Sequence, residues 1–145
     1  MVRTVSSLFI RLVGCLVALA LVTLPVAAQV SPLGNPEPPA RLLYVVIEND
    51  KIIASNILFS RTDEFDLSAQ EWIVERREDN AVVVVATNRR LIAYSVYTAS
   101  WFTERLKAGE TLETLEAEDF SAFAVTSRRI LNFNGRIGYW SSSRR

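Results

Sequence analysis

The sequence contains no histidine and a single cysteine, Cys15. Without imidazole, Ser-His-Asp and Cys-His catalysis, haem held by histidine and the usual structural zinc sites are all excluded. Cys15 lies in an apolar N-terminal stretch, so the remainder of the chain has no cysteine for a disulfide and must be held by its core. Glycine and proline number five each, and four of the prolines crowd into residues 30–40, "VSPLGNPEPPA", with none from Arg41 onward. Charge of one sign is also missing. Sixteen basic residues balance sixteen acidic ones, which leaves no basic field to hold nucleic acid by counterion release. The chemistry left open is paired carboxylates, a lysine base and oxygen ligands for calcium.

The N-terminal segment reads as a signal helix. Arg3 and Arg11 precede the apolar run Leu12 to Leu24, Pro25 breaks it, and Val26-Ala27-Ala28 supplies small residues before a cleavage point at Gln29. Residues 1–28 are therefore expected to direct export, and a periplasmic or secreted location follows. Leu12-Val13-Gly14-Cys15 resembles a bacterial lipoprotein box, but its apolar run follows the cysteine instead of preceding it, so lipidation at Cys15 is not expected. Contact with a membrane is expected only through the signal segment. Removing Arg3 and Arg11 leaves a slight acidic excess. Residues 29–40 read as a stiff, extended tether, and residues 41–145 as one modest domain.

That domain repeats itself. A shift of 39 positions carries "VVATNRRLI" (Val84 to Ile92) onto "FAVTSRRIL" (Phe123 to Leu131) and Trp101 onto Trp140, and the same shift backwards reaches "VVIENDKII". Each copy is an apolar β-branched run, a short polar break and a second apolar run. That pattern predicts an antiparallel hairpin turning at Asn49-Asp50, Asn88-Arg89 and Ser127-Arg128. A third strand bearing Trp101 or Trp140 follows the hairpin, with Thr62 at that place in the first copy. "RTDEFDLSAQ" reads as an insertion, and "ETLETLEAED" as a fourth strand closing the second copy.

A repeat of this length with a tryptophan on its third strand resembles a β-propeller blade. "VVVATNRRLIAYSVYTASW" resembles the quinoprotein type, without that type's turn glycine and aspartate. The resemblance implies an all-β chain of three propeller-blade-like antiparallel hairpin repeats with a binding role and no cofactor. Because closed propellers have about four to eight blades, three copies leave three solutions open: subunits that complete a ring, a β-trefoil, or a barrel of the bacterial pleckstrin-like kind.

The residues singled out for binding are the doublets Arg89-Arg90 and Arg128-Arg129, with Trp101 and Trp140. The doublets fall at hairpin tips, where solvated charge keeps a turn wet; converging tips would instead make a guanidinium cluster for carboxylates, sulfates or an acidic partner surface. The tryptophans belong either to the core or to a sugar-stacking face. Gln70-Glu71-Trp72 resembles, once, the Q-x-W element of trefoil lectins. Asp63, Glu64 and Asp66 offer oxygens but lack the glycine and spacing of a calcium loop, and no spacing sets Glu75, Glu78 and Asp79 across a glycosidic bond. The expectation is an exported, non-enzymatic binding or assembly module of the bacterial cell envelope that meets a protein partner or itself. Carbohydrate binding is the alternative, and a carboxylate-dependent hydrolase a third reading.

Overall fold

The computed structural model describes residues 41–145; the expected signal segment and tether lie outside the described residues. Eleven strands and no helix make up the described chain. Three antiparallel sheets follow one another. The first holds β1 (Leu43–Glu48), β2 (Lys51–Asn56) and β3 (Arg61–Asp66). The second holds β4 (Ile73–Glu78), β5 (Val82–Thr87), β6 (Arg90–Ser95) and β7 (Ser100–Arg105). The third holds β8 (Leu112–Glu118), β9 (Ser121–Thr126), β10 (Arg129–Asn134) and β11 (Tyr139–Arg144). Each strand pairs with its neighbour in sequence, so every sheet is a meander shaped like a propeller blade, and the three sheets stay separate instead of joining in one barrel.

The repeat holds residue by residue. β1, β5 and β9 begin at Leu43, Val82 and Ser121, and the hairpins turn at Asn49-Asp50, Asn88-Arg89 and Ser127-Arg128 as the sequence predicts. The turns from the second to the third strand of each hairpin repeat end at Ser60, Ala99 and Gly138, all with positive φ. Gly138 alone is a glycine, and the Phe102 ring lies where its Cβ would stand.

Strand assignment differs from the sequence expectation at two places. "RTDEFD" is β3, the true partner of β2, and not an insertion; only Asp63 and Phe65 turn inward, so its composition looks like a loop. "LETLEAE" is β8, which opens the third sheet by pairing with β9 instead of closing the second. The third copy is therefore complete, and among the described residues the first copy is the one without a leading strand. Trp72 stands just before β4 and is exposed.

Packing follows from this stacking. Val83, Val85, Ile92, Tyr94 and Val96 pack against Leu43, Ile52 and Ala54 of the first sheet. Val82, Val84, Ala86, Leu91 and Ala93 pack against Leu115, Ala122, Ala124, Leu131 and Phe133 of the third. Every residue of β5 is buried, which explains its unbroken "VVVVA": a strand covered on both faces has no reason to alternate. β1 and β9, each covered mainly on one face, do alternate.

Among the described residues, the outer edge of β1 has no strand beside it. The Arg41 guanidinium donates to the Leu43 carbonyl at 2.8 Å and Arg76 to the Val45 carbonyl at 3.0 Å, and both arginines pair with Glu78. β4 is thereby tied to the first sheet. If the middle sheet is the keystone, Ile92→Ala lowers unfolding free energy by about 2–5 kcal/mol, whereas Val74→Ala on exposed β4 changes it by no more than about 0.5 kcal/mol. Urea midpoints of the two variants check this.

Candidate functional site

The turns leading into β4 and β8 are built alike. In "SAQE" Gln70 has φ 62°, and in "KAGE" Gly109 has φ 68°. The backbone thereby folds back, so the Glu71 N–H donates to the Ser68 carbonyl at 3.0 Å and the Glu110 N–H to the Lys107 carbonyl at 2.9 Å. Both glutamates point inward with side chains out of water. Each carboxylate also caps its own turn, accepting from the Ser68 N–H at 2.9 Å and the Lys107 N–H at 2.6 Å.

Each carboxylate then meets a threonine and the second arginine of a doublet. Thr87 Oγ1 lies 2.8 Å from Glu71 and accepts the N–H groups of Arg89 and Arg90; Thr126 Oγ1 lies 2.5 Å from Glu110 and accepts those of Arg128 and Arg129. Arg90 donates from Nε and Nη2 to Glu71 at 2.8 and 2.7 Å, a bidentate pair of the kind Arg makes best. Arg129 donates likewise to Glu110 at 2.9 and 3.3 Å. The Thr-x-x-Arg of a hairpin tip is thus a clasp closed by a glutamate from the preceding loop.

The two clasps differ in how fully the arginine is used. Arg129 is 6% exposed and also reaches Glu104 at 2.6 Å and the Arg105 carbonyl at 2.5 Å, so two carboxylates surround it. The Glu104 place in the first sheet is taken by Phe65, and Arg90 lies over that ring with Cζ 4.8 Å from its centre. Arg90 therefore has one carboxylate and one aromatic face. Among the described residues the first sheet has no such clasp, and Lys51 makes exposed pairs with Glu64 and Asp66 at 2.7 and 3.8 Å.

Beside Arg90 opens a cavity of about 300 Å³ lined by Ser68, Glu71, Arg89, Arg90 and Arg105. Arg90 and Arg105 are directly opposite each other across β6 and β7, an arrangement of like charge that destabilises a sheet unless something offsets it. Among the described residues neither Arg89 nor Arg105 has a carboxylate within ion-pairing reach. With three guanidinium groups and one carboxylate, the lining is cationic.

Of the residues singled out in the sequence, Arg89 and Arg90 line this cavity, Arg128 is exposed at its own tip, and Arg129 is spent inside the fold. Arg129 reaches the Arg105 carbonyl at the end of β7, while Arg89, Arg90 and Arg105 line the cavity. Trp101 stacks on Tyr94 and Phe65 with ring centres 5.0 and 5.5 Å apart, and Trp140 on Phe133 at 5.1 Å. Both indoles are half-buried core residues. Asp63 engages Arg61 and the Tyr94 hydroxyl, while Glu64 faces the other way toward Lys51. Glu110 and Arg105 carry no signal of their own in the sequence, and Glu71 stands out there only within Gln70-Glu71-Trp72, although the shift of 39 that relates the Arg doublets also relates "SAQE" to "KAGE".

No protein-family model matches the chain, and no curated protein shows significant similarity to it. Among solved structures, the crystal structure of the N-terminal domain of Nup159 is similar over 73% of this chain, with 11% identity and a TM-score of 0.42. This chain covers 32% of that one.

Burial alone would raise the Glu71 and Glu110 carboxyls. Hydrogen bonds from Arg90, the Ser68 N–H and Thr87, and from Arg129, the Lys107 N–H and Thr126, outweigh it and bring each down to about 2. A carboxyl depressed by folding contributes stability above its unfolded value and loses it as the pH falls through its folded one. The domain should therefore weaken steadily from about pH 4.5 toward pH 2. The Glu71→Gln, Glu110→Gln double variant should be less stable at neutral pH and show a shallower acid slope, measured as urea midpoints across that range.

Proposed function

We propose that this chain is an exported, non-catalytic binding and assembly module of the bacterial cell envelope whose arginine-lined cavity receives an acidic group of a protein partner. The cavity carries the proposal. Among the described residues Arg89 and Arg105 have no carboxylate of their own, and Arg90 is held by Glu71 with Ser68 Oγ 3.4 Å from its Nη2. Glu71 already takes the Nε and Nη2 edge of Arg90, so Arg89 and Arg105 are the guanidinium groups left for a ligand, and a planar guanidinium suits a carboxylate best.

Export is supported by the N-terminal sequence pattern. The lack of histidine supports binding over catalysis. The likeness of Val83 to Trp101 to quinoprotein-type blades supports a scaffold role and, with the glycine and aspartate of that pattern missing, no cofactor. Sugar stacking on Trp101 or Trp140 gains no support, because both rings already pack on aromatic neighbours.

Titration calorimetry with a glutamate-rich peptide, beside a glutamine-rich one, tests the reading. Binding to the acidic peptide should weaken with added salt. Arg89→Ala and Arg105→Ala should each cost about 1.5–3 kcal/mol, roughly tenfold or more in affinity, while Arg128→Ala changes little. Equal binding of both peptides, or an acidic peptide indifferent to Arg89 and Arg105, would overturn it.

A further inference from the structure

The repeat makes it possible to ask of each sheet face what its equivalents do. Val83 and Val85 are 0% exposed because they face the first sheet, and Ala122 and Ala124, at 3% and 0%, face the second. In the first sheet the same two positions are Tyr44 and Val46, exposed at 50% and 57%. Ile53, beside Val46 across the ladder, holds the place of buried Ile92 and Leu131. This is the face by which a blade packs on the one before it, and among the described residues no strand lies against it.

The third sheet shows the converse. Val82, Val84, Ala86 and Leu91 are buried as the second sheet packs forward onto the third. Their counterparts Ser121, Phe123, Val125 and Ile130 are only half-buried, with nothing packed beyond them among the described residues. A hydrogen bond repeats as well. Asn56 Nδ2 donates to the Val96 carbonyl at 2.9 Å, and Ser95 Oγ to the Gly135 carbonyl at 2.6 Å, each joining a sheet to the next. Asn134 is the third member of that series. Its Oδ1 accepts from the Arg136 N–H at 3.0 Å, and its amide nitrogen has no partner among the described residues.

We infer that a second copy of this chain is the missing neighbour: the free face of the third sheet of one copy packs on the free face of the first sheet of the other, and the reverse junction closes the ring. The surface that ends the chain's stack fits the surface that begins it, because both continue a packing mode used twice inside the molecule. Two copies bring six blades together, within the range of about four to eight at which propellers close. Two-fold symmetry makes the two junctions identical, so none is left open to grow a fibre. Asn132, Asn134, Ser141 and Ser143 line the outer part of the third sheet's face and give each junction a polar rim around Phe123, Val125 and Ile130. This assembly is independent of the cavity, which lies within one chain.

Sedimentation velocity and light scattering on protein purified from cells expressing the full sequence should give the mass of two chains at micromolar concentration. Val46→Glu and Asn132→Glu alter exposed residues on the two opposite faces, and each should reduce the mass to that of one chain while leaving the thermal midpoint of the monomer intact. An equal mixture of the two variants should regain a two-chain species, since one junction then joins two unaltered faces; each variant by itself has none. A wild-type monomer, an assembly indifferent to both substitutions, or a mixture that stays monomeric would overturn the inference. Retention of acidic-peptide binding in the monomeric variants separates this result from the fate of the cavity.

Discussion

The second sheet has no outside. Its two central strands, β5 and β6, are out of water on both faces, and the other two sheets exist as stable structures because each has one of those faces to lie on. A single twisted sheet of three or four short strands cannot offset the entropy of ordering its chain unless an apolar face is covered. Covering one sheet twice solves that problem for three sheets at once. The terminal blades are consequently amphipathic and the middle one is not, although all three descend from one pattern of hairpin and third strand.

This asymmetry governed what could be read from the sequence. The hairpins were legible to the residue, because β-branched runs on either side of Asn-Asp, Asn-Arg or Ser-Arg leave little choice of turn. β3 and β8 were less legible. "RTDEFD" presents only Phe65 as an apolar residue, and "LETLEAE" contains a bulge that shifts its register between Leu112 and Thr114. A strand at the edge of a sheet with a wet face carries little apolar signal, so its parent sheet could not be assigned from hydrophobicity.

The candidate site was half legible for a related reason. The Arg doublets stood out as repeated charge, but charge at a turn says nothing about whether it is solvated. That depended on Glu71 and Glu110, placed by turns whose left-handed residues are a glutamine in one copy and a glycine in the other. One difference then separates a saturated clasp from an open cavity: Glu104 beside Arg129, Phe65 beside Arg90. An aromatic face attracts a guanidinium without adding a second carboxylate, so Glu71 alone offsets Arg90 and the charges of Arg89 and Arg105 keep the cavity positive. The same fold element thus serves as internal cement at one tip and as a receptor surface at the other.

The edge of β1 has a bearing on solubility. Its sequence "LYVVIE" is short, apolar and rich in β-branched residues, the composition from which fibrillar stacks grow when unpaired backbone is offered to other chains. Arg41 and Arg76 occupy the carbonyls of Leu43 and Val45 and set two charges across the approach of any incoming strand. With opposite charges nearly balanced along the whole chain, long-range repulsion gives little protection against aggregation. Among the described residues, the guard on this edge is two side chains set along six residues of backbone.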